Sequence, residues 1–99
     1  MKIEWDDRKN EINLRKHGID LGDAVPMFEG SMLVQPDTRE DYGENRWIGI
    51  GITNGRTAVV VFAEREEEGD CIRIISLRKA SRHERKLFEE TIANELEED

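Results

Sequence analysis

The sequence is poor in the residues that build disulfide frameworks and metal centres. It has one cysteine, Cys71, and two histidines, His17 and His83. A lone cysteine closes no internal disulfide, and Cys71 sits within an apolar strand pattern, so it reads as buried filler. No Cys/His spacing matches a zinc site, and the acids form no EF-hand loop. No Gly-x-Ser-x-Gly elbow supports a serine hydrolase, and the glycines form no phosphate-cradling loop. No apolar run approaches the roughly 20 residues of a membrane helix. The opening Met1-Lys2-Ile3-Glu4-Trp5-Asp6 lacks the apolar stretch of a signal peptide. These absences lead to an expectation of no metal, no cofactor, no membrane partner and a cytoplasmic location.

What is present fits one small unit. At 99 residues the chain is expected to form one domain, residues 1–99, with a modest core. The net charge of −8 opposes nucleic-acid binding if taken as an average. The charge is unevenly spread, however. Glu89 to Asp99 holds six acids and no Lys or Arg, whereas Arg73 to Lys86 holds six Lys/Arg against the single acid Glu84. A local basic patch on an acidic protein is compatible with that distribution.

Along the chain, Lys2 to Trp5 reads as a strand. Asp6 suits the N-cap of a helix reaching about His17, with Gly18 ending it in a left-handed conformation. Asp20 caps a second helix, Leu21 to about Glu29, which Pro26 kinks or shortens. Met32 to Gln35 is a short strand, and Pro36 to Asn45 a polar loop. Arg46 to Thr53 alternates in strand fashion, and Asn54-Gly55 is a strong hairpin turn. Gly49 and Gly51 mark a close approach by something bulky, Trp5 or Trp47. Arg56 to Arg65 returns, Glu66 to Asp70 is an acidic turn, and Cys71 to Lys79 is a further strand. Strict alternation in that strand puts Ile72, Ile74, Ser76 and Arg78 on one face. Ser81 and Glu84 form a capping box for a final helix packing through Phe88, Ile92 and Leu96, with its last residues frayed. The class is α+β: a small antiparallel sheet with two N-terminal helices and one C-terminal helix packed on it.

Two sets of residues bear chemistry. Lys9, Asn13, Lys16 and His17 share one helix face, where the plain alternative is a solvated polar surface. Arg46, Arg65, Arg73 and Arg78 lie in predicted strands, where arginine is costly. Ion pairing with Asp6, Asp37 or Glu84 would explain them, as would a phosphate clamp built on the guanidinium fork.

Trp5-Asp6, Lys9, Asn13, Lys16-His17-Gly18-Ile19, Ala24 and Phe28 resemble the opening of BrnT-family toxins. Arg73-Ile74-Ile75-Ser76-Leu77-Arg78-Lys79-Ala80 with Glu84-Arg85 resembles that family's second signature, although Leu77 stands where alanine is more usual. The resemblance implies a RelE-like fold and an endoribonuclease that needs no metal. It also implies a BrnA-like ribbon-helix-helix antitoxin as partner, with operator DNA reached only through that antitoxin. On residue chemistry, Lys16, His17, Arg65 and Arg78 are the candidate catalytic groups, and Lys9, Arg46 and Arg73 the candidate RNA phosphate contacts. A phosphate is expected to dock between Arg78 and the helix N-terminus that Ser81 caps, with Arg65 approaching if its strand end lies alongside. His83 is an alternative acid or base that its capping-box position points outward. RNA-cutting relatives are commonly basic, so the acidic balance keeps open an antitoxin-binding regulatory module with weakened or lost catalysis; a plain RNA-binding module is a third reading.

Overall fold

The computed structural model describes residues 1–65 and 70–97. Five strands, β1 (Lys2–Trp5), β2 (Leu33–Pro36), β3 (Arg46–Thr53), β4 (Arg56–Arg65) and β5 (Cys71–Lys79), form one sheet in the order β1-β5-β4-β3-β2. Helix α1 (Asp7–His17) and a 3₁₀ helix (Leu21–Glu29) follow β1, and α2 (Arg82–Glu97) follows β5. No described helix is long and apolar enough to cross a membrane. The expected turn at Glu66 to Asp70 and the fraying of the last residues fall largely outside the described residues.

Local chemistry accounts for most boundaries. The Asp6 carboxylate accepts the Lys9 N–H at 3.0 Å, and Gly18 ends α1 at φ 71°. Asn54 and Gly55 both take positive φ at the β3–β4 turn. The capping box forms in both directions: Glu84 N–H donates to Ser81 Oγ at 3.1 Å, and Ser81 N–H donates to Glu84 Oε1 at 2.8 Å.

The structure departs from expectation at five points. First, the second helix is 3₁₀ throughout. Pro26 has no N–H for an α-helical bond, and the buried residues Leu21, Ala24 and Met27 recur every three positions, the 3₁₀ period. Second, the sheet is not wholly antiparallel, because β1 pairs parallel with β5, from Lys2 opposite Cys71 to Trp5 opposite Ile74. Long crossovers permit this, whereas tight hairpins permit only antiparallel neighbours. Third, β5 does not alternate strictly. Val61 pairs with Ser76 and Phe62 with Ile74, which leaves Ile75 as a bulge. Ile74 and Leu77 are therefore both buried under the 3₁₀ helix, while Ser76 and Arg78 face the opposite side with Val61 and Val59. Fourth, methionine rather than tryptophan approaches the strand glycines. A Cβ on Gly49 would lie 2.5 Å from Met32 Sδ, and one on Gly51 3.3 Å from Met27 Cε. Fifth, Leu96 is 74% exposed, so the apolar packing of α2 runs through Phe88 and Ile92, against Ile50, Val59, Leu33 and Ile48.

The two faces of the sheet are consequently unequal. One carries the main core, where Val60, Phe62, Ile74 and Leu77 meet Leu21, Ala24 and Met27. Phe28 meets Phe62 edge to face at 5.0 Å between ring centres. On the other face, the open face, α2 covers part of β2, β3 and β4, and Val61, Ala63 and Cys71 on the remainder are buried all the same.

Asn13 fixes α1 to this sheet. Its side chain is buried, so it does not belong to a solvated polar face. Nδ2 donates to the carbonyls of Leu77 and Ile19, each at 2.9 Å, and Oδ1 accepts the Leu77 N–H at 3.1 Å. Beyond the end of β1, the amide of Asn13 thus takes the place of a strand on β5. Asn13→Ala would leave the Leu77 N–H and C=O without these partners and is expected to cost about 2–4 kcal/mol in chemical denaturation. Phe88→Ala should cost about 3 kcal/mol and Leu96→Ala less than about 0.5 kcal/mol.

Candidate active site

The register places Arg46, Arg65, Arg73 and Arg78 on the open face, while Arg56 alternates onto the core face. Arg46 pairs with Ala63, Arg65 with Cys71, Ala63 with Arg73 and Val59 with Arg78, and paired positions share a face. Arg78 and Arg65 nonetheless sit at opposite ends. The seven positions from Cys71 to Arg78 span roughly 20 Å, so Arg65 does not approach Arg78 and the expected joint clamp is not formed.

At the Arg78 end, a cleft of about 340 Å³ is lined by Lys16, His17, Arg39, Ser76 and Arg78 over a floor of Ile48, Val59 and Val61. The bulge supplies Ser76 and Arg78, and the Asn13 anchor brings in the last turn of α1. Arg15 and Lys16 suit that last turn because cations offset the negative end of the helix dipole. The β2–β3 loop contributes Arg39, which sequence reasoning missed. Its guanidinium binds the buried Asp37 carboxylate through Nε at 2.8 Å and Nη2 at 2.7 Å. The Asp37-x-Arg39 spacing was the available signal, but Asp37 was read only as a partner for a strand arginine.

Arg78 is held in the same fashion. Nη1 and Nη2 each donate to Glu84 at 2.8 Å. This corrects the expected phosphate position, because the Glu84 carboxylate already occupies the space between Arg78 and the helix N-terminus. Arg78 hydrogen bonding holds the Glu84 carboxyl at about 2. The hydrogen bond from Arg39 likewise lowers Asp37. Partial burial lowers the pKa of His17, and the charges of Lys16 and Arg78 lower it further. A neutral imidazole at physiological pH follows. His83 stands exposed on α2 and lines none of these clefts.

The other arginines form a separate cluster. Glu44 accepts from Arg46 Nε at 3.0 Å and from Arg73 Nη2 at 2.7 Å, while Tyr42 lies under the Arg46 guanidinium at 4.0 Å. Burial works against the Glu44 carboxylate, but Arg46 and Arg73 hold its pKa below the ordinary value. Arg65 donates to Glu4 at 3.2 Å, and a cleft there joins Glu4, Trp5, Asp6, Lys9, Arg65 and Arg73. Lys9 also lines a groove with Ile12, Asn13, Lys16, His17, Ile75 and Ser76, which links the two ends. Another cleft, between Gly18, Asp23 and the β3–β4 hairpin, contains no histidine.

Residues 5–84 match the family model described as the ribonuclease toxin BrnT of type II toxin–antitoxin systems. The chain belongs to the BrnT family. Its structure is similar to the 1.1 Å crystal structure of the Brucella abortus ribonuclease toxin BrnT, with a TM-score of 0.67 and 33% identity, over 83% of this chain and 99% of that one. No curated protein sequence matches. Family membership makes the chain a ribonuclease toxin. Most of α2 lies beyond the matched residues.

The Arg78–Glu84 pair sets a pH dependence of stability. The Glu84 pKa is depressed on folding, so its contribution is present above the ordinary carboxylate pKa of 4.5 and is lost as pH falls toward about 2. Urea unfolding of the wild type should show stability declining across that window, and Glu84→Gln should flatten the decline. An unchanged slope in Glu84→Gln would show that the pair carries no linked stability.

Proposed function

We propose that this BrnT-family member cleaves RNA by metal-independent transesterification in the cleft between the end of α1 and β5. The observation that supports this most directly is the convergence of Lys16, His17, Arg39, Ser76 and Arg78 over one apolar floor. The neutral His17 imidazole accepts the proton of the 2′-hydroxyl as its oxygen attacks phosphorus. Arg39 and Arg78, oriented by Asp37 and Glu84, stabilise the charge that develops on the phosphoryl oxygens. The 5′ oxygen leaves with a proton delivered from the Lys16 ammonium or solvent, giving a 2′,3′-cyclic phosphate and a 5′-hydroxyl. A cation-lined site disfavours a divalent ion.

The finer biological reading follows the family. The chain acts as one domain of RelE-like type in the cytoplasm. It is neutralised by a BrnA-like antitoxin whose ribbon-helix-helix part binds operator DNA. One observation favours a second reading, a catalytically weak member that works mainly as an antitoxin-binding module: both arginines of the cleft already hold carboxylates.

Activity is expected to survive EDTA and to leave cyclic phosphate ends, and restoration of a chelated sample by added Mg²⁺ would contradict this. The kcat/KM profile should rise with pH through a value below 6.5 and plateau, reporting loss of the His17 proton. His17→Asn should remove that limb and lower the rate by about 10²–10⁴-fold. Arg78→Lys keeps a cation beside Glu84 and is expected to stay folded while losing toxicity on induction. Full toxicity of that variant would remove Arg78 from the site.

A further inference from the structure

The open face continues past the cleft into arginines that the proposed chemistry does not use. Arg46, Arg73 and Arg65 share that face with Ser76 and Arg78, about five positions away along β5, or roughly 15 Å. Between the two ends the register puts Ile48, Val61 and Ala63, of which only Ile48 is partly exposed. Grooves that share Lys16, His17 and Ser76, and then Lys9, make the path continuous along α1. Arg73 Nε is buried with no hydrogen-bond partner among the described residues, a guanidinium donor that Glu44 does not satisfy.

We infer that the Lys9–Arg46–Arg73 end is a second phosphate subsite, so that the substrate is a single-stranded RNA segment of several nucleotides laid along the open face. The inference rests on the ribonuclease reading of the first cleft. The separation of roughly 15 Å corresponds to about four stacked nucleotides at 3.4 Å each. A single strand can follow the groove along α1 with its phosphates on the cations and its bases unpaired, whereas a duplex keeps its bases inside and its strands at a fixed separation. Glu44 is the resident anion of this subsite, and an incoming phosphate competes with it for Arg46 and Arg73.

Two measurements test this, cleavage of single-stranded oligoribonucleotides from two to eight nucleotides and binding of the same series in non-cleavable 2′-O-methyl form. The wild type should gain about tenfold or more in kcat/KM between the shortest and longest strands, mostly through KM. Binding of the octamer should fall more steeply with salt than binding of the dimer, by roughly 0.7 in logarithmic slope for each added phosphate contact. Lys9→Gln and Arg73→Gln should each erase much of the length advantage, and Glu44→Gln should enlarge it by releasing two guanidinium groups. Lys9 is exposed, so its variant tests the subsite without threatening the fold. Cleavage and binding independent of length would overturn the subsite while leaving the ribonuclease reading intact. Length-dependent binding without any cleavage would support the subsite and contradict the catalytic reading. A Glu44→Gln variant that binds the octamer less tightly would show the Glu44 cluster to be structural only and would also overturn the inference.

Discussion

The arrangement depends on one side chain bonding as if it were backbone. β1 covers the outer edge of β5 only as far as Ile74, and the edge beyond would otherwise present unpaired groups. Asn13 supplies both a donor and an acceptor to Leu77 and a second donor to Ile19, joining helix, connector and strand at one point. Asn10 adds to the same junction by accepting the Leu21 N–H at 2.8 Å. Because α1 is rigid between Asn13 and His17, securing the first also locates the second. The position of the imidazole is therefore a consequence of a buried hydrogen-bond pattern four residues away.

The bulge at Ile75 is the second constraint. A strand repeats every two residues, so one extra residue reverses every face assignment that follows it. In β5 this satisfies two demands together. Ile74 and Leu77 fill the core, and Ser76 and Arg78 reach the open side. Carboxylates then orient the guanidinium groups that gather there. Asp37, Glu84, Glu44 and Glu4 each bind an arginine of that face or of the loop beside it. The acidic composition and a cation-lined face are thus compatible, because part of the negative charge serves to position the positive charge.

Much of this was legible in the sequence where a local rule decides the outcome. Asp6 and Gly18 bounded α1, Asn54-Gly55 fixed the hairpin, and Ser81 with Glu84 announced α2. Residue chemistry groups Lys16, His17 and Arg78 with Arg65, and the cleft brings together the first three. Misreadings arose where a non-local fact decides. No residue type marks the bulge, so alternation put Ser76 on the wrong face. The three-residue spacing of Leu21, Ala24 and Met27 carries the 3₁₀ signal, which the cap at Asp20 and the proline at 26 alone do not specify. Arg65 and Arg78 look equivalent as strand-end arginines, and only the pairing register separates them. Asn13 was grouped with Lys9 and Lys16 by periodicity, although an amide on such a face can be a structural pin.

The central claim is that RNA lies on the open face of the sheet, between α1 and the β2–β3 loop. Amide chemical-shift mapping during titration with a non-cleavable single strand tests it most directly. The account predicts perturbations concentrated at Lys16, His17, Arg39, Ser76 and Arg78 and continuing through Ala63 to Arg73. Perturbations confined to the 3₁₀ helix or to the Asn54-Gly55 turn, with the open face silent, would contradict it.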